Sequence, residues 1–290
     1  MISASGADML ICRKGFRHAY RDKQELTGAI ARAERMAREY GVAFEPLDGR
    51  ALQRAEPNLL IPLAGAIQWL DPWTCRDPEA LVAAYTKLFK AAGGTVVSGD
   101  AMTLHARQGK WAVDIPGATG PMVARDAVIC LGSQSAQLTT RFGLRVPLFC
   151  KRGYHLQLKS SRGPNLLLVD AKNSTVLAPM VSGLRILTGA ELSRPSSAGT
   201  TSQLNHAIVS ARELFEIEAP RDADPWMGNR PCMPDMLPVV GAVPGQSGLW
   251  ANFGHGHQGF TLGPTTASLL AHEMAGNSAT FPELSPCYRF

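Results

Sequence analysis

Apolar residues recur at helical spacing in two well-bounded segments early in the chain. The first segment runs from Asp22 to Tyr40, and Gly41 ends it. In the second segment, Asp77 can cap a helix, Pro78 suits its first turn, and Gly93-Gly94 terminates it. These patterns predict two amphipathic helices, each of which buries one face in a core.

Two different patterns of apolar residues, one continuous and one alternating, predict strands in the middle of the chain. Residues Ala127 to Leu131 form an unbroken apolar run, typical of a strand buried on both faces. The run ends at Gly132-Ser133, where the ligand edge of a sheet is expected. Alternation from Tyr154 to Leu158, and across much of Leu166 to Thr188, predicts an antiparallel sheet with one covered face. The remaining expectations are strands at Met9–Cys12, Gly65–Leu70, Thr95–Ser98, Trp111–Ile115 and Met122–Val123, a helix from Thr201 or Ser202 to Phe215, a loop over Val42–Pro62 with a short helical piece around Ala51, and a proline-rich loop over Pro220–Pro244.

The stretch from Gly248 to Gly276 combines a short strand, a glycine-rich turn and a helix. Leu249 to Ala251 form the strand, and Pro264 suits the first turn of a helix that Gly276 ends. Backbone N–H groups at such a helix start point outward, and the helix dipole favours negative charge there. We therefore expect this turn to face an anionic or electron-rich ligand.

Residues Gly254 to Gly259 also fit the pattern G-x-G-x-x-G of dinucleotide-binding proteins. That fingerprint requires a second strand and an acidic residue about 20 positions later, inside one βαβ unit. Only fourteen residues follow Gly276, and Pro282 and Pro286 interrupt them. The context argues against a dinucleotide fingerprint and leaves a ligand-facing turn.

Composition and charge exclude several classes of protein. The chain has 290 residues, 45% hydrophobic and 18% charged, which suits one large globular domain or two ordinary ones. Its net charge is +5, but the basic residues are scattered, so we expect no nucleic-acid partner. Six separated cysteines without a C-x-x-C pair favour reduced thiols and a cytoplasmic location. No apolar stretch approaches the roughly 20 residues of a membrane helix, which leaves only a peripheral position at the inner membrane open.

The patterns of other common active sites are absent or incomplete. His255 and His257 lie two positions apart without a nearby carboxylate cluster, so we expect no metal site. The sequence contains no G-x-S-x-G elbow, so a hydrolase triad has no support. Arg230 offers a guanidinium fork for a carboxylate, and a loop-bracing role is the equal alternative on the residues alone. For Tyr154, packing inside a sheet is at least as good an interpretation as contact with a substrate.

Three stretches of the chain, taken in order, resemble a known family. The first runs Val128-Ile129-Cys130-Leu131-Gly132-Ser133-Gln134-Ser135, and the second is Arg152-Gly153-Tyr154. The third begins Trp226-Met227-Gly228-Asn229-Arg230-Pro231, continues through Pro234-Asp235, Pro238 and Gly241, and closes at Gly254-His255-Gly256. Their order and spacing resemble the flavin-dependent D-amino-acid oxidoreductase superfamily, within it the small-subunit type of bacterial D-amino-acid dehydrogenase.

The resemblance implies a fold, a cofactor and a reaction. The fold is α/β, mixed with α+β features, in a two-domain flavoprotein of the D-amino-acid oxidase type. Residues 1–72 and 151–225 would form the substrate domain, and residues 73–150 and 226–290 the remaining part of the FAD-binding domain. The implied reaction oxidises a D-amino acid by hydride transfer to FAD, giving an imino acid that hydrolyses to a keto acid. A quinone or oxygen would accept the electrons.

The resemblance also assigns roles to individual residues. Arg230 would bind the carboxylate of the substrate, and Tyr154 would face the substrate through its hydroxyl group. The residues expected to contact the cofactor are Gly132, Ser133, Arg152, Gly153, Gly254, His255, Gly256, Gly259, Phe260 and Thr261. The negative charge of the reduced flavin ring would lie near the helix that follows these last residues.

One part of the family pattern has no counterpart in the 290 residues. The family begins with a βαβ unit whose G-x-G-x-x-G turn holds the FAD diphosphate, and no such unit precedes the matched stretches here. An alternative is therefore a truncated, catalytically silent fragment, or one part of a split flavoenzyme whose partner chain supplies the FAD clamp. A third hypothesis is an amino-acid-binding module that uses Arg230 without redox chemistry.

Overall fold

The computed structural model describes residues 1–192, 194, 197–221 and 224–290. The chain forms a mixed α/β fold with several sheets and helices, which confirms the predicted fold class. It divides into two compact units. The first unit comprises Met1–Gly93, Gly153–Ala190 and Ala198–Gly228, and the second comprises Gly94–Arg152, Glu191–Ser197 and Asn229–Phe290.

Seventeen strands and seven α-helices are found in the described residues. The strands are β1 Ile11–Cys12, β2 Phe16–Tyr20, β3 Phe44–Asp48, β4 Gly65–Trp69, β5 Thr74–Cys75, β6 His105–Arg107, β7 Lys110–Val113, β8 Met122–Ala124, β9 Ala127–Ile129, β10 Phe149–Leu158, β11 Leu168–Asp170, β12 Thr175–Met180, β13 Gly183–Leu187, β14 Glu191–Leu192, β15 Trp226–Cys232, β16 Val239–Ala242 and β17 Leu249–Phe253. The helices are α1 Lys23–Tyr40, α2 Gly49–Ala55, α3 Pro78–Ala91, α4 Ser135–Thr140, α5 Ser202–Leu214, α6 Gly259–Met274 and α7 Pro286–Arg289. None of the helices in this part of the chain is long and apolar enough to cross a membrane.

A largely antiparallel sheet dominates the first unit. Its strands follow the order β10-β13-β12-β11-β2-β4-β3, and β11 and β2 pair in parallel. Helix α5 packs on this sheet through Leu204, Ala211 and Leu214, which lie on one face of the helix at helical spacing. Phe215, which directly follows α5, is fully buried in the same core. The alternation predicted for 154–158 and 166–188 corresponds to β10 through β13.

A buried charge network fixes α5 to the sheet. Asp170 is only 1% exposed, and its carboxylate accepts hydrogen bonds from Arg21 at 2.7 Å and from the Ser210 hydroxyl at 2.7 Å. Asn173 donates a third bond to it at 2.8 Å. Since a buried charge is tolerated only when it is paired and hydrogen-bonded, this network fixes the position of α5 along β11.

The second unit contains two small sheets and its own core. One sheet has the strand order β16-β17-β9, and the other has the order β6-β7-β8. Leu249, Ala251 and Ile129 lie in the core between these strands and the loops around them. Trp111 on β7 packs edge-on against Phe142 and donates its indole N–H to the Ser247 carbonyl at 3.0 Å. This unit therefore has an apolar interior of its own.

Local sequence signals predicted several elements correctly. Asp22 caps α1 by accepting the N–H groups of Gln24 and Glu25, and Gly41 ends that helix in the left-handed region. Asp77 caps α3 through the N–H of Ala80. The strands expected near residues 65, 111, 122 and 127 are present, as are β1 and helices α2 and α5.

Other expectations were wrong. The segment Thr95–Ser98 is not a strand, and the 42–62 loop contains strand β3, which pairs with β4. The 220–244 loop contains β15 and β16, while residues 222 and 223 lie outside the described residues. The run Ala127–Leu131 is not buried on both faces, because Val128 is 39% exposed while Ile129 faces the core. Long-range pairing decided these segments against their local composition.

The two units divide the chain at Gly93, Arg152 and Gly228, with Glu191–Ser197 also in the second unit, whereas the sequence-based division fell at 72, 150 and 225. The first unit extends to Gly93 and therefore includes α3, which the sequence-based division assigned to the other domain. The roles of the units as substrate domain and FAD-binding domain stay predictions.

We expect His18 to make the stability of the protein depend on pH. Burial lowers the pKa of His18 from its ordinary 6.5, and its Nδ1 accepts the Trp69 indole N–H at 3.3 Å. As pH falls below 6.5, the unfolded chain binds a proton that the folded chain resists, so stability is lost at up to about 1.4 kcal/mol per pH unit. His18→Asn keeps an acceptor near Nδ1 without titrating, so its unfolding free energy should fall less steeply between pH 7 and 5.

Urea unfolding at several pH values measures how steeply the unfolding free energy falls with pH in His18→Asn and in the wild type. His206→Asn, on the exposed face of α5, is the matched control and should leave the wild-type slope unchanged. Equal slopes for His18→Asn and wild type would contradict this role of His18.

Candidate functional site

Two turns of the second unit meet at one edge of a sheet. Strands β9 and β17 pair in parallel, with Ala127 opposite Leu249 and Ile129 opposite Ala251. Both strands therefore end at the same edge, where β9 leads into Gly132-Ser133 and β17 leads into Gly254. The carboxyl edge of parallel strands is the usual place for a ligand in α/β folds.

The turn after β17 requires glycine at two positions. Gly254 has φ +82°, and a Cβ there would lie 3.1 Å from Cγ of Met233. Gly256 has φ +57°, and a Cβ there would lie 3.4 Å from Sγ of Cys232. A bridge between Cys232 and His255 joins the end of β15 to this turn. Left-handed backbone and close packing together explain these glycines.

The helix after this turn begins earlier than the sequence indicated. Residues Gly256–Gln258 form one 3₁₀ turn, and α6 begins at Gly259, so Pro264 lies inside the helix and not in its first turn. Gln258 forms no side-chain cap, and Phe260 and Thr261 are exposed in the first turn. The first N–H groups of α6 therefore lack a side-chain acceptor from the capping residue and can serve an electron-rich ligand.

A hydrogen bond between His255 and Thr266 ties the glycine turn to α6. Thr266 is a buried residue, 3% exposed, and its hydroxyl donates to the Gly263 carbonyl at 3.1 Å and lies 3.0 Å from Nε2 of His255. Because its proton goes to Gly263, this hydroxyl accepts from Nε2–H, which leaves Nδ1 of His255 as the acceptor nitrogen. Burial lowers the pKa of His255, in agreement with a neutral ring.

Arg230 carries a buried donor without a hydrogen-bond partner. The side chain is half-buried on β15, and its Nη1 is fully shielded from solvent. No acceptor for Nη1 lies among the described residues. Burial lowers the pKa of the Arg230 guanidinium from its ordinary value, although the group remains a cation. A shielded, unsatisfied guanidinium N–H is rare in a folded protein and indicates a missing acceptor.

Positive charge is concentrated around Arg230. The pKa of His257 is lowered, first by burial and then by the charges of Arg230 and Lys151. His257 therefore lies within electrostatic reach of Arg230 and Lys151, and these two charges favour an anion. No sequence pattern pointed to Lys151, whereas His257 lies in the glycine-rich turn and was also weighed as a metal ligand. No group of three or more metal-ligating side chains occurs in the described part of the chain.

Arg152 is enclosed by protein groups. Its side chain is fully buried, and its Nη2 donates to the carbonyls of Arg194 at 3.0 Å and Ser197 at 2.9 Å. Its Nε lies 3.4 Å from Oδ1 of Asn229, next to Arg230 in the chain. In the structure Arg152 braces the backbone at Arg194 and Ser197, and its contact with a cofactor stays a prediction.

The two remaining candidates, Gly153 and Tyr154, lie on β10 in the first unit, and both are buried. The Tyr154 hydroxyl accepts the backbone N–H of Thr200 at 3.0 Å, and its ring belongs to the core under α5. A Cβ at Gly199 would lie 3.4 Å from that hydroxyl and 2.9 Å from the sulfur of Met227. This packing fits the structural interpretation of Tyr154, and a contact with substrate stays a prediction.

Comparison with known proteins identifies the class. The family described as FAD dependent oxidoreductase matches residues 1–273, and the chain belongs to this family, whose cofactor is FAD. It is 28% identical over 286 residues to a D-amino-acid oxidase of Bradyrhizobium diazoefficiens, covering 96% of this chain and 66% of that protein. It is 26% identical to D-amino acid dehydrogenase 3 of Mesorhizobium japonicum, covering 93% of this chain and 67% of that protein.

The fold also has counterparts among solved structures. Glycine oxidase from Geobacillus kaustophilus matches 98% of this chain with a TM-score of 0.83 and 21% sequence identity. The match covers 77% of that protein. The chain thus spans about two thirds of the two curated relatives (66% and 67%) and about three quarters of this solved structure. The predicted family and cofactor are confirmed, while the roles of individual residues stay predictions.

The glycine turn yields a direct test of its strained geometry. Gly254→Ala should destabilise the protein by about 1–3 kcal/mol, because alanine is disfavoured at positive φ and its methyl group would press on Met233. Gly263→Ala is the matched control, since Gly263 lies inside α6 with nothing within 4 Å of a Cβ. That substitution should stabilise the protein by about 0.5–1 kcal/mol.

Thermal and urea unfolding of the two variants measure this difference. Equal effects of the two substitutions on stability would contradict the left-handed backbone conformation of Gly254.

Proposed function

We propose that the protein oxidises D-amino acids with FAD as cofactor. The observation that carries this proposal is the shielded Nη1 of Arg230, which has no acceptor among the described residues. Because Nη1 itself is shielded, a substrate carboxylate would bind on the exposed side of this half-buried guanidinium, where it would neutralise part of the charge around Arg230. The two curated relatives named above, a D-amino-acid oxidase and a D-amino acid dehydrogenase, support the D configuration.

Arg230 is suited to hold a carboxylate in one orientation. The planar guanidinium offers two parallel N–H groups that match the two oxygens of a carboxylate. Lys151 adds positive electrostatic potential, but Arg230 alone has the fork geometry. A carboxylate fixed in this way leaves the α-carbon of the substrate in a defined place, which is the main contribution a protein makes to such a reaction.

The second unit fits the ring end of FAD. The glycine turn brings backbone close to a ligand without a Cβ, and the uncapped start of α6 favours the electron-rich edge of a flavin. Gly132 has φ +56° with open space beside its Cβ position, so a ligand can approach the backbone there. When bound, FAD accepts the hydride that leaves the α-carbon of the amino acid.

The roles of the two units follow from the same proposal. The second unit would form the remaining part of the FAD-binding domain, and the first unit the substrate domain. Gly132, Ser133 and the residues from Gly254 to Thr261 would contact the cofactor. Within the first unit, Tyr154 would act through the segment around Thr200, whose N–H its hydroxyl accepts.

The second candidate is a chain that binds FAD only together with further polypeptide. The chain spans about two thirds of its curated relatives, and no βαβ unit with a G-x-G-x-x-G turn is expected ahead of the stretches that resemble the family. A partner chain or a longer product of the same gene could contribute that unit. Addition of FAD to the purified chain alone separates this candidate from a stand-alone enzyme.

We expect the purified 290-residue chain to develop the absorbance of bound flavin when FAD is added. The flavin-loaded protein should then reduce an artificial electron acceptor with D-alanine and other D-amino acids, and not with their L enantiomers. Absorbance spectroscopy followed by dye reduction measures both steps. A protein that ignores FAD would contradict the stand-alone enzyme, and turnover confined to L-amino acids would contradict the D assignment.

Substitution of Arg230 tests the carboxylate site. Removing a charge-assisted hydrogen bond costs about 1.5–3 kcal/mol, so Arg230→Gln should lower kcat/KM for D-alanine roughly 10- to 150-fold. Arg230→Lys keeps the charge without the fork and should lie between wild type and Arg230→Gln. Steady-state kinetics and calorimetric binding of D-alanine measure the loss.

Arg145→Gln, an exposed arginine of the same unit, is the control with the same change of charge. It should leave both quantities unchanged. Full activity of Arg230→Gln with flavin still bound would contradict the assigned role of Arg230.

A further inference from the structure

A large cavity lies wholly within the first unit, near the two-stranded ribbon of β1 and β5. Its volume is about 950 Å³, enough for a molecule of drug size. Apolar side chains form part of its wall, among them Ile11, Leu70 and Pro179. None of its lining residues belongs to the candidate site described above.

The charged side chains that line the cavity all have the same sign. They are Arg13, Lys14, Arg17 and Arg76, and no Asp or Glu lines the cavity within the described residues. Carboxylates outside the wall compensate two of the four: Asp8 pairs with Arg13 at 2.7 Å, and Glu56 pairs with Arg17. Lys14 and Arg76 have no side-chain partner among the described residues. Two positive charges thus remain uncompensated at the wall.

Arg17 is part of a built site and not of a solvated surface. Its residue is only 7% exposed, and its Nε donates to Oε1 of Gln68 at 2.8 Å. Its partner Glu56 is fully buried and also accepts the backbone N–H of Asn165 at 2.6 Å. Burial raises the pKa of Glu56, while these donors and the charge of Arg17 oppose that shift. The guanidinium is therefore held rigidly in a partly desolvated wall, where its charge is weakly screened.

The backbone holds the other basic residues in place. Gly15, next to Lys14, has φ +72°, and a Cβ there would lie 1.7 Å from the Trp69 carbonyl oxygen. The N–H of Arg76 donates to the Leu10 carbonyl at 2.8 Å, and its own carbonyl accepts the N–H of Val181 at 3.0 Å. The positive charges are thus presented from fixed backbone, which lowers the entropic cost of binding an anion.

We infer that this cavity binds a small organic dianion with an apolar body. Lys14 and Arg76 supply the two uncompensated charges, and Arg17 offers a positioned guanidinium beside them. The wall formed by Ile11, Leu70 and Pro179 accommodates the apolar part of the ligand. A phosphate monoester and an aromatic dicarboxylate share this chemistry. The inference rests on the first unit alone and does not depend on the proposed oxidation of amino acids.

Calorimetric titration of the full chain with phenyl phosphate and, separately, phthalate tests this site. At near-physiological salt we expect at least one of the two to bind with Kd below about 1 mM, more tightly than neutral phenol or inorganic phosphate. Arg76→Gln and Lys14→Gln should each weaken binding about tenfold, because each removes a charge-assisted contact. Both side chains are exposed, so the folded chain should tolerate either change.

Arg35→Gln, an exposed arginine on α1, is the control with the same change of net charge. It should leave binding unchanged. The inference would be overturned if neither probe bound below about 1 mM, or if Arg35→Gln weakened binding as much as Arg76→Gln. Equal binding of phenol would also overturn it, since the charges would then play no part.

Discussion

The parallel pairing of β9 and β17 is the constraint on which the candidate site of the second unit depends. Antiparallel strands would place the two following turns at opposite edges of the sheet, whereas parallel pairing places both at one edge. Ile129, Leu249 and Ala251 are buried, so a shift of register by one residue would expose them and is disfavoured. The bridge from Cys232 to His255 then brings the end of β15, and with it Arg230, to the same glycine turn.

Elements with strong local signals could be predicted from the sequence. Helices α1 and α3 have an aspartate cap and a glycine stop or pair of glycines, and these signals act within a few residues. Strand β15 contains Gly228 and Pro231, which resemble loop residues. A Cβ at Gly228 would lie 2.0 Å from the Trp226 ring, so a larger residue there would force that ring to move. The pairing of β15 with β10 depends on residues far away in the chain, which local patterns do not report.

The candidate site was predictable to a similar extent. Arg230 and the turn from Gly254 to Gly259 stand in short motifs, so the sequence alone could single them out. The sequence predicted too late a start for α6, because proline suits the first turn of a helix. In the structure α6 begins at Gly259 and contains Pro264 one turn after its start. The approach of Lys151 and His257 to Arg230 comes from tertiary folding, and no spacing in the sequence indicated it.

The presence or absence of a carboxylate partner distinguishes a buried arginine with a structural role from one that binds a ligand. Arg17 and Arg21 are each matched by a buried carboxylate, Glu56 or Asp170, that neighbouring donors also stabilise. Leaving one member of a fully buried pair unmatched costs about 3–5 kcal/mol, and a half-buried group costs a fraction of this. Arg230 has no such carboxylate among the described residues, and one of its nitrogens is shielded without an acceptor. Stability alone would favour a smaller or apolar residue there, so an arginine at this position is best explained by an anion that binds and completes it.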